Sequence, residues 1–370
     1  MIKVEYIFTE KLGSSLGHKK KFLSQQAGFE QAGITCKLQN DIPIYYHNTR
    51  LRKVLSRLPL FPYHYDWRKL KPDEDTTCLY IRKPHIDRTF YAFLRHVKRT
   101  RPNVMIILEL PTYPYDKEMN LSSYPYILKE RFWRKRLYPY VDYITTFSKD
   151  TVIWRIPCLR IKNGIVFDNE RMRRTQEDKD RLDIITVSGM KFWHGYERII
   201  QGLITYYAAE HPFEVNLHMV GDGPELAKYK LLSAPVAAHV IFHGRKEGEE
   251  LDAIYDLCDV AADCFGCQRK DLFITSTQKC REYASKGVPI VTATENDAFL
   301  SAEHDYVLKF PEDESEIDIQ SIVVFYRGLI GRYGSVQALA QVIRYDGERT
   351  CDISQTLQPV VNAIQKWHGR

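Results

Sequence analysis

Lys279 and Glu282 stand three residues apart in the stretch TSTQKCREYASKGVPIVT, residues 275–292, with Gly287, Pro289 and an apolar run directly behind them. On a helix this spacing puts the ammonium and the carboxylate on one face. Ser276 or Thr277 can cap such a helix, so its first-turn amides present a partial positive charge suited to a phosphate, to which Lys279 adds a full one. Glu282 can then pair with Lys279 or accept hydrogen bonds from the hydroxyls of a ribose. The plainer alternative is a solvated ion pair worth a few tenths of a kcal/mol.

Other residues carry compatible chemistry. VGDGPE, with Gly221 and Gly223, and FHGR, with Gly244 and Arg245, read as sharp backbone turns at consecutive strand ends on one rim of a sheet. The loop SGMKFWHG brings Gly189, Lys191 and His194, and Arg269 with Lys270 precede Thr275 closely. In the first half, GSSLGHKKK supplies Gly13, Gly17 and His18 ahead of a basic turn, and Glu109 ends the apolar run VMIILE, where it either faces a cleft or caps the next loop. Arg131, Trp133, Arg134, Lys135 and Arg136 in KERFWRKRLYPY mix cations with aromatic rings, as a helix at an anionic bilayer surface does. An ordinary amphipathic helix covering a sheet has the same composition.

These residues need elements to hold them. IKVEYIF, a glycine loop and a helix ending at Gly33 open the chain, and CLYI, VMIILEL and DYITTF then alternate with helical stretches around 87–99 and 117–138. The polar stretch 169–181 reads as a linker. After it, RLDIITVSG, EVNLHMVG, HVIFHG, DVAADC and VPIVTA alternate with amphipathic helices, the pattern of a second doubly wound parallel sheet with ligands near the carboxyl ends of its strands. The expected domains are 1–168 and 182–350. Terminal helices are expected near 317–332, 336–344 and 353–367, the last within a segment, about 353–370, that packs back on the first domain.

A chain of 370 residues suits two such domains. Residues 1–165 hold 30 Lys and Arg against 15 Asp and Glu, a net of +15, and the remainder holds 23 against 32, a net of −9. The first half therefore meets anionic material, a membrane surface or a phosphate-bearing ligand. No apolar run reaches the length of a membrane span or a signal peptide, so a cytoplasmic protein is expected. Of the 8 cysteines only Cys264 and Cys267 are close in sequence, with no second pair to complete a zinc site, so reduced structural thiols are expected.

KCREYASKGVPIV, residues 279–291, resembles the K-x-x-E-Y-x-x-x-G-x-P-[IV]-[IV] nucleotide-binding signature of GT-B glycosyltransferases of the family 4 kind. VGDGPE, FHG, YDLCDVAAD and IKNGI resemble landmarks of the same family in the same order. The likeness covers Ile161–Val291 well and the N-terminal half loosely. ILELPTYPYDKE and FWHGYERIIQGL are similar to bacterial enzymes that build capsular or exopolysaccharide repeat units.

The resemblance implies an α/β GT-B fold, two Rossmann-like domains facing across a cleft. It implies that Glu282 holds the ribose of a UDP- or GDP-linked sugar and that Lys279 lies near the diphosphate. Lys191 and His194 then stand in for the arginine and lysine that many relatives carry after the first strand of the second domain, where this chain has Met190 and a shorter loop. Many retaining relatives also carry a glutamate where this chain has Ile274, so donor contacts are expected from main-chain amides of 273–275, including Thr275, from Ser276, or from Arg269 and Lys270. Glu109, Lys191 and Lys279 are the catalytic candidates, with no metal and no cofactor beyond the donor. Gly13, Gly17, His18, Tyr113 and Tyr115 are the acceptor candidates, the two tyrosines suited to stacking on a sugar face.

The expected function is a retaining, metal-independent hexosyl transfer to a saccharide or polyprenyl-diphosphate-linked saccharide in surface polysaccharide synthesis, at the inner face of the cell membrane and without nucleic acid. The alternatives are a nucleotide-sugar epimerase of the same architecture and a non-catalytic partner that kept the fold.

Overall fold

A computed structural model describes residues 1–12, 16–44, 55–58, 60–111, 113, 124–177, 179–210 and 213–369. The chain divides into two compact units, one of residues 1–164 with 353–370 and the other of residues 165–352.

The first unit runs β1 (Lys3–Ile7), α1 (Leu16–Gln31), β2 (Thr35–Gln39), β3 (Cys78–Arg82), α2 (Arg88–Thr100), β4 (Met105–Leu110), α3 (Tyr124–Arg134), β5 (Tyr143–Thr146), β6 (Val152–Ile153) and β7 (Ile156–Arg160). Its strands lie in the order β2-β1-β3-β4-β5-β7-β6, parallel except for the β6–β7 pair. CLYIR and MIILEL are buried along their whole length, which is why CLYI and MIIL read as apolar runs rather than alternating ones. The Asp87 carboxylate caps α2 by accepting from the Thr89 and Phe90 amides, and Phe90, Phe93, Leu94 and Val97 form its buried face. Two short helices after the second unit, Ile353–Thr356 and Gln358–His368, belong here. Ile353 and Leu357 pack onto α1 at Gly28, where an added Cβ would lie 2.7 Å from Ile353 Cγ1, and Trp367 Nε1 donates to the Asn103 carbonyl at 3.0 Å.

The second unit runs β8 (Arg181–Ser188), α4 (Tyr196–Ala208), β9 (Glu214–Gly221), α5 (Leu226–Leu232), β10 (Val240–Gly244), α6 (Gly248–Leu257), β11 (Val260–Ala262), β12 (Ile274–Thr275), α7 (Gln278–Lys286), β13 (Ile290–Thr292), β14 (Glu295–Asn296), β15 (Val307–Lys309), α8 (Ile319–Tyr333) and α9 (Val336–Cys351). Six strands form a parallel sheet in the order β10-β9-β8-β11-β13-β15, and β12 pairs with β14 beside it. Apolar clusters cover both faces, one built on Leu182, Ile184, Leu217 and Met219, the other on Ile185, Val220, Tyr283 and Leu339.

The polar stretch 169–181 is fastened along this unit rather than spanning between two. Arg171 pairs with Asp256 at 3.0 Å, Lys179 with Asp183 at 2.6 Å and Asp259 at 2.7 Å, and Glu170 with Lys286 at 3.0 Å. Its cations meet the acidic half of the chain, which composition alone does not reveal. The helix expected over 336–344 continues to Cys351, its apolar face carried on by Gly347 and Cys351.

Candidate functional site

The strand order fixes where a ligand would meet the second unit. Chain progression reverses between β8 and β11, and in doubly wound sheets ligands sit outside the carboxyl ends of the strands at that switch point. The loops there are 189–195 after β8 and 263–277 after β11, the latter running into α7. They touch through backbone. Phe265 N donates to the His194 carbonyl at 2.8 Å, and a Cβ on Gly195, which has φ +66°, would lie 2.7 Å from Gly266 N. The loop after β9 closes over the first of them: a Cβ on Gly221 would lie 1.9 Å from the Ser188 carbonyl oxygen and one on Gly223 2.0 Å from that of Gly189, both at positive φ.

Lys279 lies in the first turn of α7 and is buried. Its Nζ donates to the Tyr196 hydroxyl at 2.8 Å and to the Asp263 carbonyl at 2.5 Å, and lies 3.1 Å from Asp263 Oδ1. Three acceptors saturate an ammonium group. Burial works against its charge, yet the groups around it, Cys264, Tyr196 and Asp263 foremost, hold its pKa well above the ordinary lysine value. Thr277 occupies the cap position of α7 but spends its hydroxyl on Asp263 Oδ1 at 3.2 Å, making no capping bond with the helix. The Gln278 side-chain amide and Asp263 Oδ2 are buried with no hydrogen-bond partner among the described residues, an arrangement that folded proteins seldom leave without a purpose.

Glu282 is buried on the next turn. Burial first, and then the charge of Glu282, push the Tyr255 hydroxyl far above its ordinary pKa, which places these two side chains together. Ser276 accepts from Arg281 at 3.1 Å, and Thr275 donates to the Glu295 carbonyl at 3.3 Å. Arg281 is fully buried and also binds Asn296 Oδ1 at 2.7 Å and Asp297, tying the start of α7 to the 295–297 segment.

Two cations, the exposed Lys191 and the half-buried Lys270, converge beside this helix start. Lys191 Nζ lies 5.1 Å and Lys270 Nζ 4.2 Å from the centre of the Trp193 ring. His194 is next to them and uncharged: burial, then the charges of Lys279, Lys191 and Lys270, lower its pKa to about 2. His194 therefore brings no positive charge to the loop, and its Nδ1 accepts from the Lys191 amide at 3.1 Å. Gly189 lies in the same loop with open space where a Cβ would stand.

Other expected residues lie elsewhere or are already engaged. The Arg269 guanidinium is held by Glu197 at 2.7 Å, by Glu314, and by the Phe192 carbonyl at 2.5 Å. Gly244 and Arg245 end β10, which the strand order puts at the sheet edge, two strands from β8 and so about 10 Å away. Arg245 is exposed and 3.8 Å from Asp222. The two turns lie at the carboxyl ends of adjacent parallel strands, but the turn at Gly244 is one strand further from β8 than that at Gly221.

In the first unit, Glu109 is fully enclosed at the carboxyl end of β4. It takes hydrogen bonds from Lys21 at 2.5 Å, Arg82 at 2.9 Å and Tyr6 at 3.0 Å, so it locks a charge cluster and does not face open space. Burial opposes its ionisation, but Lys21 and Arg82 prevail and hold its pKa at about 2, while burial lowers that of Lys21 to about 8. Gly17 is exposed and His18 half-buried at the start of α1, the His18 ring 6.1 Å from that of Phe22. Tyr113 is half-buried, its ring 6.5 Å from that of Trp154. Gly13 and Tyr115 lie outside the described residues.

On α3 and just after it, Arg131, Lys135 and Arg136 are exposed, but Trp133 is buried in the core and Arg134 stacks 5.3 Å from the Trp154 ring centre. No helix among the described residues is long and apolar enough to cross a membrane. Asp-x-Asp, a common divalent-ion motif, occurs twice in the sequence. At 73–75 its carboxylates are spent on Lys3, 3.1 Å from Asp73 and 2.7 Å from Asp75, and on Lys37, and the other begins at Asp178, outside the described residues.

Asp263, Tyr196 and Gln278 are the site residues that sequence reading passed over. Asp263 had a usable signal, since it directly follows the apolar strand VAA at the switch point. Tyr196 had none, because it reaches Lys279 across 83 residues of chain.

No protein-family model and no curated protein matches the chain. Solved structures do. A glycosyltransferase from Rickettsia africae ESF-5 is 9% identical over 99% of this chain and 98% of its own, with a TM-score of 0.62. Anabaena Alr3699/HepE in complex with UDP is 12% identical over 99% and 100%, with a TM-score of 0.59. The apo lipopolysaccharide outer core galactosyltransferase WaaB is 13% identical over 99% of each chain, with a TM-score of 0.55. At such identities the likeness is one of fold, and over its whole length this chain has the α/β GT-B fold.

Proposed function

We propose that the protein is a glycosyltransferase that takes a sugar from a nucleotide-diphosphate donor bound by residues 165–352. The observation that carries this reading is the convergence at the β8/β11 switch point of Lys191, Lys270, the start of α7 and the unpartnered Gln278 amide. Cations and helix amides suit a diphosphate, and Glu282 on the next turn suits a ribose. Lys279, saturated by Asp263 and Tyr196, supports the diphosphate through its charge and by fixing the helix start. The similar structures support the donor class, since HepE was captured with UDP and with UDP-glucose.

Transfer requires the negative charge developing on the departing nucleotide diphosphate to be stabilised, which Lys191, Lys270 and the amides of α7 do without a proton transfer. A metal-independent, retaining transfer is part of this proposal, as is a saccharide or lipid-linked saccharide acceptor taken by residues 1–164. A role in surface polysaccharide assembly is supported by the lipopolysaccharide galactosyltransferase among the similar structures.

Melting-temperature shifts of the full chain against a panel of nucleotides and nucleotide sugars test the reading. Stabilisation by at least one nucleoside diphosphate is expected, and none by any would sink it in favour of a non-catalytic partner. Mass spectrometry of the stabilising donor, incubated with and without saccharide acceptors, then separates transfer from epimerisation, because an epimerase converts donor alone.

A further inference from the structure

Helix α3 is tied to the segment around Ser56–Tyr63. Lys129 Nζ donates to the Ser56 carbonyl at 2.8 Å and to that of Phe61, lies 3.8 Å from the centre of the Tyr63 ring, and the Tyr63 hydroxyl donates to the Tyr126 carbonyl at 3.0 Å. These bonds and the buried Ile127, Glu130 and Trp133 fix which way the helix turns. Leu128, Arg131 and Phe132, at helical spacing, are left on the outside. Leu128 is 50% and Phe132 43% exposed, and on the segment that Lys129 holds Leu58, Leu60 and Phe61 are 49%, 63% and 41% exposed.

Single exposed apolar side chains are ordinary, whereas a group of five from two joined segments marks a surface with a partner. The cations identify it. Arg131, Lys135 and Arg136 are exposed at the same helix end, and Arg136 stacks 3.6 Å over the Phe132 ring. An apolar protein surface would satisfy Leu128 and Phe132 but would have to take the exposed Lys135 and Arg136 out of water. A bilayer with anionic headgroups takes both, apolar side chains entering the acyl boundary while the cations remain at phosphate level. The net +15 of residues 1–165 gives the same attraction at longer range.

We propose that Leu58, Leu60, Phe61, Leu128 and Phe132, ringed by Arg131, Lys135 and Arg136, form a docking face for an anionic lipid bilayer. The wedge is therefore Leu128 and Phe132 rather than Trp133, and docking requires neither donor nor acceptor.

Co-sedimentation of the full chain with phosphatidylcholine vesicles, with and without phosphatidylglycerol, tests this. The chain should pellet with the phosphatidylglycerol vesicles only, and raised salt should weaken pelleting where inorganic phosphate at the same ionic strength does no more. The double substitution Leu128→Ser and Phe132→Ser should reduce partitioning by about tenfold at unchanged melting temperature. If that pair melts early, Arg131→Gln with Lys135→Gln decides, and it should reduce partitioning by a similar factor. No pelleting by the unaltered chain, or unchanged pelleting by a well-folded double variant, would overturn the proposal. Loss of self-association in light scattering with vesicle binding unchanged would instead identify the face as a contact between two copies.

Discussion

Lys279 and Asp263 are bound twice, Nζ to the backbone carbonyl at 2.5 Å and to Oδ1 at 3.1 Å, with Tyr196 taking the third donor at 2.8 Å. A strand end, a helix start and α4 are thereby pinned to one ammonium group. Much of the site's rigidity should come from this pair. Lys279→Met leaves a buried carboxylate without its cation and should cost about 3–5 kcal/mol in urea unfolding of the full chain. Adding Asp263→Asn should recover more than half of that loss. Equal losses in the single and double variants would mean that the two groups are energetically independent.

Loop closure over β8 predicts a graded glycine response. Gly221→Ala forces a Cβ to within 1.9 Å of the Ser188 carbonyl oxygen, whereas Gly244→Ala at φ +68° meets nothing within 4 Å. Both incur the backbone cost of positive φ, about 1–2 kcal/mol. Only the first also displaces the loop that carries Lys191. Calorimetric melting should show Gly221→Ala as the more damaging by several degrees, and nucleotide affinity should fall for that variant alone.

The nucleotide reading separates Lys191, Lys270 and Glu282 from Arg269. Removing a hydrogen bond to a charged group in a binding site costs about 1.5–3 kcal/mol, so Glu282→Ala should weaken nucleoside diphosphate binding by roughly tenfold or more in titration calorimetry. Lys191→Ala and Lys270→Ala should each weaken it less, with a smaller salt dependence than the unaltered chain. Arg269→Ala should act chiefly on stability, because its guanidinium is spent on Glu197 and Glu314. Unchanged affinity in Glu282→Ala would remove the ribose assignment.

Local rules made some of this legible in sequence. The start of α7 at Thr277, the turn at Gly287, which has φ +71°, and the buried strand after Pro289 follow from residue types within one stretch, although Thr277 makes no capping bond. The register of α3 did not, because apolar and basic residues surround it on all sides. Contacts distant in sequence, Lys129 reaching Ser56 across 73 residues and Tyr63 reaching Tyr126 across 63, decide that Trp133 turns inward and Phe132 outward. The strand β7 was hidden by Pro157, which pairs antiparallel with Val152 of the edge strand β6. Arg269 looked available as a cation because its two carboxylate partners lie 72 residues before and 45 residues after it.

Glu109 gives the first unit a specific acid response. Its carboxyl is held at about 2 in the folded chain against an ordinary 4.5, so the unfolded chain binds the extra proton between those values. The stabilisation is complete above about pH 4.5 and drains away as the pH falls through about 2, amounting to about 3 kcal/mol. Lys21 acts in the opposite range. Its pKa is lowered from 10.5 to about 8, so its burial as a cation weighs against folding below pH 8 and is relieved as the pH rises from there to 10.5. Glu109→Gln should therefore be less stable than the unaltered chain at neutral pH, and the gap should close as urea midpoints are followed down toward pH 2. The same substitution takes away the anion that keeps Lys21 charged, and should move the alkaline rise in stability to lower pH. A gap between the two proteins that stays constant across the acid range would show that folding does not lower the Glu109 pKa.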